Sequence, residues 1–226
     1  MTIPLKIINK KDMKEIPRQS SAWNKIAENW EVYVVKKIPF VEEFLEGKKG
    51  KVVDFACGNG RNMIKNLNIE YYGIDFSEQM IKNAEKYVRK DKVNAKLFQS
   101  RVDKLDKKIF KDNMFDYGLF MAALHCLESE RERLNSLKEF YRILKPKAEA
   151  LISVWLSEDP RFKGKDKEVY MSWKKKGKTI MRYYYLYDKQ ELLDLLERVG
   201  FKILHVYEPR QGDRFSRKNW IIKIKK

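Results

Sequence analysis

Cysteine and histidine are scarce: 226 residues contain two of each, Cys57, Cys126, His125 and His205. Two distant thiols exclude a disulfide framework, and so few potential ligands leave no cluster for zinc, so we expect no metal site. Long apolar runs are missing as well. Nothing approaches the roughly 18 residues that would cross a bilayer, and the charged residues among the first twenty leave no room for a signal peptide. A reducing, cytoplasmic setting with no membrane role is the expectation. Acids are the minority charge, with 32 Asp and Glu against 49 Lys and Arg, a formal +17. Such a surplus favours a polyanionic partner, RNA first.

What is present is a regular alternation of strand and helix. Short apolar runs at 51–55, 69–75, 95–98, 115–121 and 150–155 read as strands. A helix capped by Ser77 places Met80, Ile81, Ala84 and Val88 on one face. Another begins with Ser129 and Glu132 at capping-box spacing, carries Leu134, Leu137, Tyr141 and Leu144 on one stripe, and stops before Pro146. A third runs from Asp188, with Glu191 three residues on, to a Gly200 stop, and strands at 201–207 and 218–224 close the chain. The expected fold class is α/β, a doubly wound, mostly parallel seven-stranded sheet with an insertion after strand five. One domain over 1–226 is expected, with an N-terminal helical extension at 1–45 and a core at 46–156. An insertion at 157–187, in which neither the helical nor the strand period holds, precedes the C-terminal helix and strands at 188–226.

The first strand ends in Asp54-Phe55-Ala56-Cys57-Gly58-Asn59-Gly60, and a helical pattern is expected directly after the glycines. A glycine loop at the carboxyl end of a strand lets backbone approach a ligand closely. Asp75 ends the second strand, where an acid can accept both hydroxyls of a ribose. The loop lacks the Gly-x-Gly-x-x-Gly spacing that brings a helix N-terminus to a pyrophosphate, which points to a nucleoside cofactor without phosphates.

These residues resemble the class I S-adenosylmethionine-dependent methyltransferases, in which Asp-x-Gly-x-Gly-x-Gly is followed by Gly-Ile-Asp-x-Ser-x-x-Met; here Gly73-Ile74-Asp75-Phe76-Ser77-Glu78-Gln79-Met80 matches throughout. The resemblance implies a Rossmann-like methyltransferase fold and S-adenosyl-L-methionine as cofactor. It places Ala56, Cys57, Gly58 and Gly60, with Asp54 behind them, at the methionine part, Asp75 at the ribose, and Phe76, Met80, Val102, Asp103 and Met121 along the site. Two positions depart from the pattern. Ala56 stands at the first glycine, tolerable if its φ is negative, and Arg101 stands where an acid commonly meets the adenine amino group, with Asp103 as the substitute.

Flanking segments are similar to the tRNA wobble-uridine carboxymethyl methyltransferases: 22–30 (AWNKIAENW), Leu124-His125-Cys126-Leu127, Val154-Trp155, Trp173-Lys174, 182–187 (RYYYLY) and Asn219-Trp220. That resemblance implies esterification of a 5-carboxymethyl group on uridine 34 in the tRNA anticodon loop, and a small zinc-binding activator subunit as a possible partner. The acceptor carboxylate is already ionised at neutral pH, so alignment and a cation that holds it matter more than a strong base. His125 and Arg182 are the catalytic candidates. Lys36, Trp173, Tyr183, Tyr184, Asn219 and Trp220 are the candidates for substrate binding, the aromatic residues as stacking faces for an extruded base. Val34 stands where that family carries an arginine, and Lys36 is the nearby charge that would replace it. A small-molecule O- or N-methyltransferase and a non-catalytic RNA-binding protein remain open alternatives.

Overall fold

The computed structural model describes residues 6–33, 36–175 and 178–226. In chain order these form β1 (Ile7–Asn9), α1 (Gln19–Tyr33), α2 (Pro39–Leu45), β2 (Gly50–Phe55), β3 (Ile69–Asp75), α3 (Glu78–Lys90), β4 (Ala95–Gln99) and β5 (Phe115–Met121). There follow α4 (Glu130–Ile143), β6 (Leu144–Trp155), β7 (Glu168–Lys175), β8 (Lys178–Tyr185), α5 (Lys189–Val199), β9 (Lys202–Tyr207) and β10 (Asn219–Lys225). The expected seven-stranded sheet is present in the order β4-β3-β2-β5-β6-β10-β9, and β10 alone runs antiparallel to its neighbours. Alternate residues of β2 serve two cores. Val53 and Phe55 join Phe140 of α4 and Leu196 of α5, whereas Val52 joins Phe44 of α2 and Ile81 of α3. Helices therefore cover both faces, which leaves the strand ends as the place for a site.

The capping signals account for the helix ends. Ser77 Oγ accepts a bond from Met80 N, and Ser129 and Glu132 close a full capping box. Gly200 ends α5 with φ of 112°. Asp188 occupies the N-cap position of α5 but caps nothing with its side chain, because Lys167 at 2.9 Å and Ser157 take its carboxylate.

Two expectations fail. No helix follows the glycine loop, since residues 61–68 run from a turn through irregular chain and a second turn into β3. Met63 plugs the sheet face in its place, and Gly73 makes room, because a Cβ there would lie 2.3 Å from the Met63 methyl. The backbone groups that a helix would have paired find hydroxyls: Ile64 N donates to Tyr71 Oη and Tyr87 Oη donates to Met63 O, each at 3.2 Å. The insertion is likewise not irregular. Strands β7 and β8 form a hairpin that β1 extends into a three-stranded antiparallel sheet. Its alternation is invisible in sequence because β7 is covered on both faces, with Val169, Tyr170, Met171 and Ser172 all buried in succession. Helix α1 ties this small sheet to the main one: Tyr183 N donates to Gln19 Oε1, and Asn83 Nδ2 donates to Ala27 O.

Candidate active site

At the carboxyl ends of β2, β3 and β5 lies a cleft walled by Ala56, Cys57 and Gly58 of the loop, Asp75 of β3 and Met121 of β5. The glycine loop forms its floor. Asp75 Oδ2 accepts from Gly58 N and Oδ1 from Ser77 N, both at 2.9 Å, so one carboxylate ties the loop to the start of α3. The carboxylate lines the cleft, where the lone pairs that these amides leave can accept from a hydroxyl. Burial raises this acid to about 6, against backbone donors that pull it down.

Asp54 sits behind the loop, fully buried, with no hydrogen-bond partner on either oxygen. Burial pushes it up to about 7, opposed by the Arg61 charge and the nearby Asn62 amide. Arg61, on the cleft wall, is itself lowered to about 10 by desolvation, with Asp54 working the other way. Two raised carboxyls under a single cleft fit a ligand that brings positive charge. The sulfonium and ammonium of S-adenosylmethionine supply it.

Ala56 stands at φ of 62°, the left-handed conformation that its methyl disfavours, and Ala122 across the cleft has φ of 53°. The condition of negative φ is therefore not met, and each residue costs on the order of 1 kcal/mol of strain in the cleft wall. The expected residues Ala56, Cys57, Gly58, Asp75, Phe76, Met80, Val102 and Met121 all line the cleft. Gly60 does not, because it turns toward Ala84 and Tyr87 of α3. Asp103 is not there either. Arg101 grips it with two bonds of 2.9 and 3.0 Å and also reaches Glu132 at 2.6 Å, so neither residue offers the acid expected at the adenine. Trp23, Asn59, Asn62, Phe120 and Cys126 line the cleft without having been picked out as site residues. Trp23 arrives on α1 and Cys126 on the turn after β5, placements that no local spacing announces.

The acceptor-side candidates sort by burial. His125 is wholly buried against the Trp155 and Tyr184 rings, and among the described residues neither nitrogen has a partner. Desolvation drives its pKa down to about 3, so at neutral pH it is an uncharged packing group and not the expected cation. Tyr184 lies 4.1 Å from Trp155, ring to ring, and Tyr183 donates to Glu168 at 2.7 Å while accepting from Arg133. Both are fully packed, and neither presents a face for a base. Asn219 is buried and donates to Phe215 O, and Trp220 packs on the main core. Lys36 is exposed, whereas Val34 lies outside the described residues.

Arg182 is different. The residue is 4% exposed, its guanidinium stands over three rings, Trp23 at 5.6 Å, Trp173 at 5.1 Å and Tyr184 at 5.3 Å, and among the described residues its Nε has no hydrogen-bond partner. Trp23 belongs to the cleft wall, so this cation stands directly behind it. Among the described residues no His, Cys, Asp and Glu group is arranged to hold a metal, and no helix is long and apolar enough to cross a membrane.

Residues 52–147 match the family model described as a methyltransferase domain. A protein of Schizosaccharomyces pombe named tRNA (carboxymethyluridine(34)-5-O)-methyltransferase is 28% identical over an alignment of 217 residues, covering 82% of this chain and 90% of that protein. An Arabidopsis thaliana protein of the same name is 32% identical over 124 residues, 54% of this chain and 28% of that one. Among solved structures, the Burkholderia thailandensis 1,6-didemethyltoxoflavin-N1-methyltransferase, which holds S-adenosylhomocysteine, superposes with a TM-score of 0.71 at 15% identity over 95% of this chain and 92% of that one. Sheet order, glycine loop, paired acids and family match agree: the chain is an S-adenosylmethionine-dependent methyltransferase.

Proposed function

We propose that the methyl acceptor is tRNA, and within it the carboxylate of a 5-carboxymethyl group on the wobble uridine. The observation that carries this reading is the buried Arg182 beside the cleft, a cation suited to an anionic acceptor. The likeness to the fission-yeast protein of that name, over 82% of this chain, and the +17 charge support it. When bound, the cofactor supplies an electrophilic methyl on sulfur. The chain has no proton to remove, because the acceptor is already ionised. Arg182 would draw the carboxylate toward the cleft wall by its charge while the aromatic rings around it exclude water, and Asp75 and the Gly58 loop would fix the ribose end.

A second subunit that adds a strand to the seven-stranded sheet would find its two edges at β4 and β9. The small zinc-binding activator is proposed for such an edge, and co-expression that improves yield and activity is the measurement that checks it. The acceptor itself is tested by incubating the chain with labelled S-adenosylmethionine and bulk tRNA, then digesting and identifying the labelled nucleoside. We expect the methyl ester of 5-carboxymethyluridine. Label on another nucleoside would keep tRNA and remove this acceptor, and unlabelled tRNA beside a methylated small acid would replace both.

A further inference from the structure

We propose that two loops beside the cleft, 156–165 and 208–218, form a single platform for the phosphodiester backbone of the RNA acceptor; this rests on the tRNA reading above. The loops lie where β6 ends and β10 begins, joined by the Asn219–Trp155 pairing and by Leu156 N donating to Lys218 O at 3.1 Å. They bring Arg161, Arg214 and Arg217 close enough to Lys218 for all three charges to act on it. The platform abuts the cleft, because the guanidinium of the wall residue Arg61 stands 5.6 Å from the centre of the Phe215 ring.

The acids that would neutralise this cluster are already committed. Asp159 accepts from the Arg161 side chain twice and from its backbone once, all at 2.9 Å. Asp213 spends its carboxylate on Phe215 N and Ser216 N, each at 3.0 Å. Among the described residues Arg214 and Arg217 meet no carboxylate, and both are exposed. Some cations elsewhere are paired, as Lys96 is with Glu70, Lys145 with Asp116 and Arg142 with Glu139. Lys218 registers the crowding: burial first, then Arg161, Arg214 and Arg217, push its ammonium below the usual lysine value, with Asp159 opposing.

The cluster is also held in place. Buried Ser216 accepts from Arg210 N at 3.0 Å, Asn219 donates to Phe215 O at 2.8 Å, and Arg210 pairs with Glu43 of α2 while lying over the Phe40 ring. A loop pinned by this many bonds keeps like charges together at a standing electrostatic cost. A row of phosphates would relieve that cost, releasing counterions as it binds.

The test compares R214A/R217A with K49A/K147A, which removes the same charge from exposed lysines at the amino ends of β2 and β6, the strand ends opposite the cleft. Each full-length variant is titrated with fluorescent tRNA between about 50 and 200 mM salt, and cofactor affinity is measured by calorimetry. We expect R214A/R217A to flatten the slope of log K against log salt by roughly 1.5 and to weaken binding at least about tenfold, with cofactor affinity unchanged. K49A/K147A should keep the wild-type slope. Equal slopes in R214A/R217A and wild type, equal losses in the two variants, or a parallel loss of cofactor affinity in R214A/R217A would overturn the platform and leave the tRNA reading standing. Absence of salt-dependent tRNA binding by the wild type would remove the tRNA reading and the platform together.

Discussion

The floor of the cleft and the aromatic shell beside it bury opposite charges by opposite means. On the floor, two carboxyls sit under backbone: Asp75 is held by Gly58 and Ser77 amides, and Asp54 by nothing but the field of Arg61 and the nearness of Asn62. In the shell, one guanidinium is enclosed by three rings. Both arrangements carry a desolvation cost that a partner of the other sign offsets. The floor suits a cationic cofactor, and under the proposed function the shell would face an anionic acceptor, which would sort the two reactants by charge. Ground-state stability is spent on this sorting at both ends.

The comparison breaks most readily at Asp75 and Arg182. Asp75→Ala leaves the Gly58 and Ser77 amides without their acceptor and is expected to weaken cofactor binding by about 100-fold or more, measured by calorimetry. Arg182→Met keeps the apolar packing of the stem and removes the charge. It should leave cofactor affinity within about threefold and slow transfer by about 100-fold in single-turnover assays. If both variants lose cofactor affinity equally, the division between floor and shell does not hold.

A smaller effect is expected from pH. Asp54 at about 7 and Asp75 at about 6 lie above the ordinary carboxylate range because they are buried. The folded protein therefore binds protons more tightly than the unfolded chain, and the stability these two groups contribute falls as pH rises from about 4 to about 7, then levels off. His125 runs the other way, since its folded pKa of about 3 means that it costs stability as pH falls below its unfolded value near 6.5. A cationic cofactor favours the ionised acids, so binding near pH 6.5 should release protons and strengthen as pH rises from 5.5 to 7.5. Calorimetry in buffers of different ionisation heat reads this directly, and a buffer-independent heat would contradict it.

The smallest effect sharpens the floor alone. Ala56→Gly removes the methyl from a residue at φ of 62° and should stabilise the fold by about 0.5–1 kcal/mol, the strain relieved exceeding the entropy that glycine adds to the unfolded chain. Thermal melts with and without cofactor check it. The same gain in both would show that the strain belongs to folding, and a loss of cofactor affinity would place it in binding.

Legibility from sequence followed the range of the interactions. Strand and helix positions in the core were readable because apolar period and capping residues are local, as at Ser77 and at Ser129 with Glu132. The β7–β8 hairpin was not, since a strand buried on both faces has no alternation, and neither was the missing helix after Gly60, where Tyr71 and Tyr87 hydroxyls from other elements satisfy the backbone. Trp23 reached the cleft unannounced because an N-terminal helix had to fold back over α3 to bring it there.

The amino-acid sequence by itself determined the sheet, the glycine loop with Asp75 and the nature of the cofactor, because each depends on residues close along the chain. Only the tertiary structure decided what the distant aromatic residues do. It placed His125, Tyr183 and Tyr184 in the interior and left Arg182 charged behind the cleft wall, since burial and desolvation are set by what packs around a side chain rather than by its neighbours in sequence.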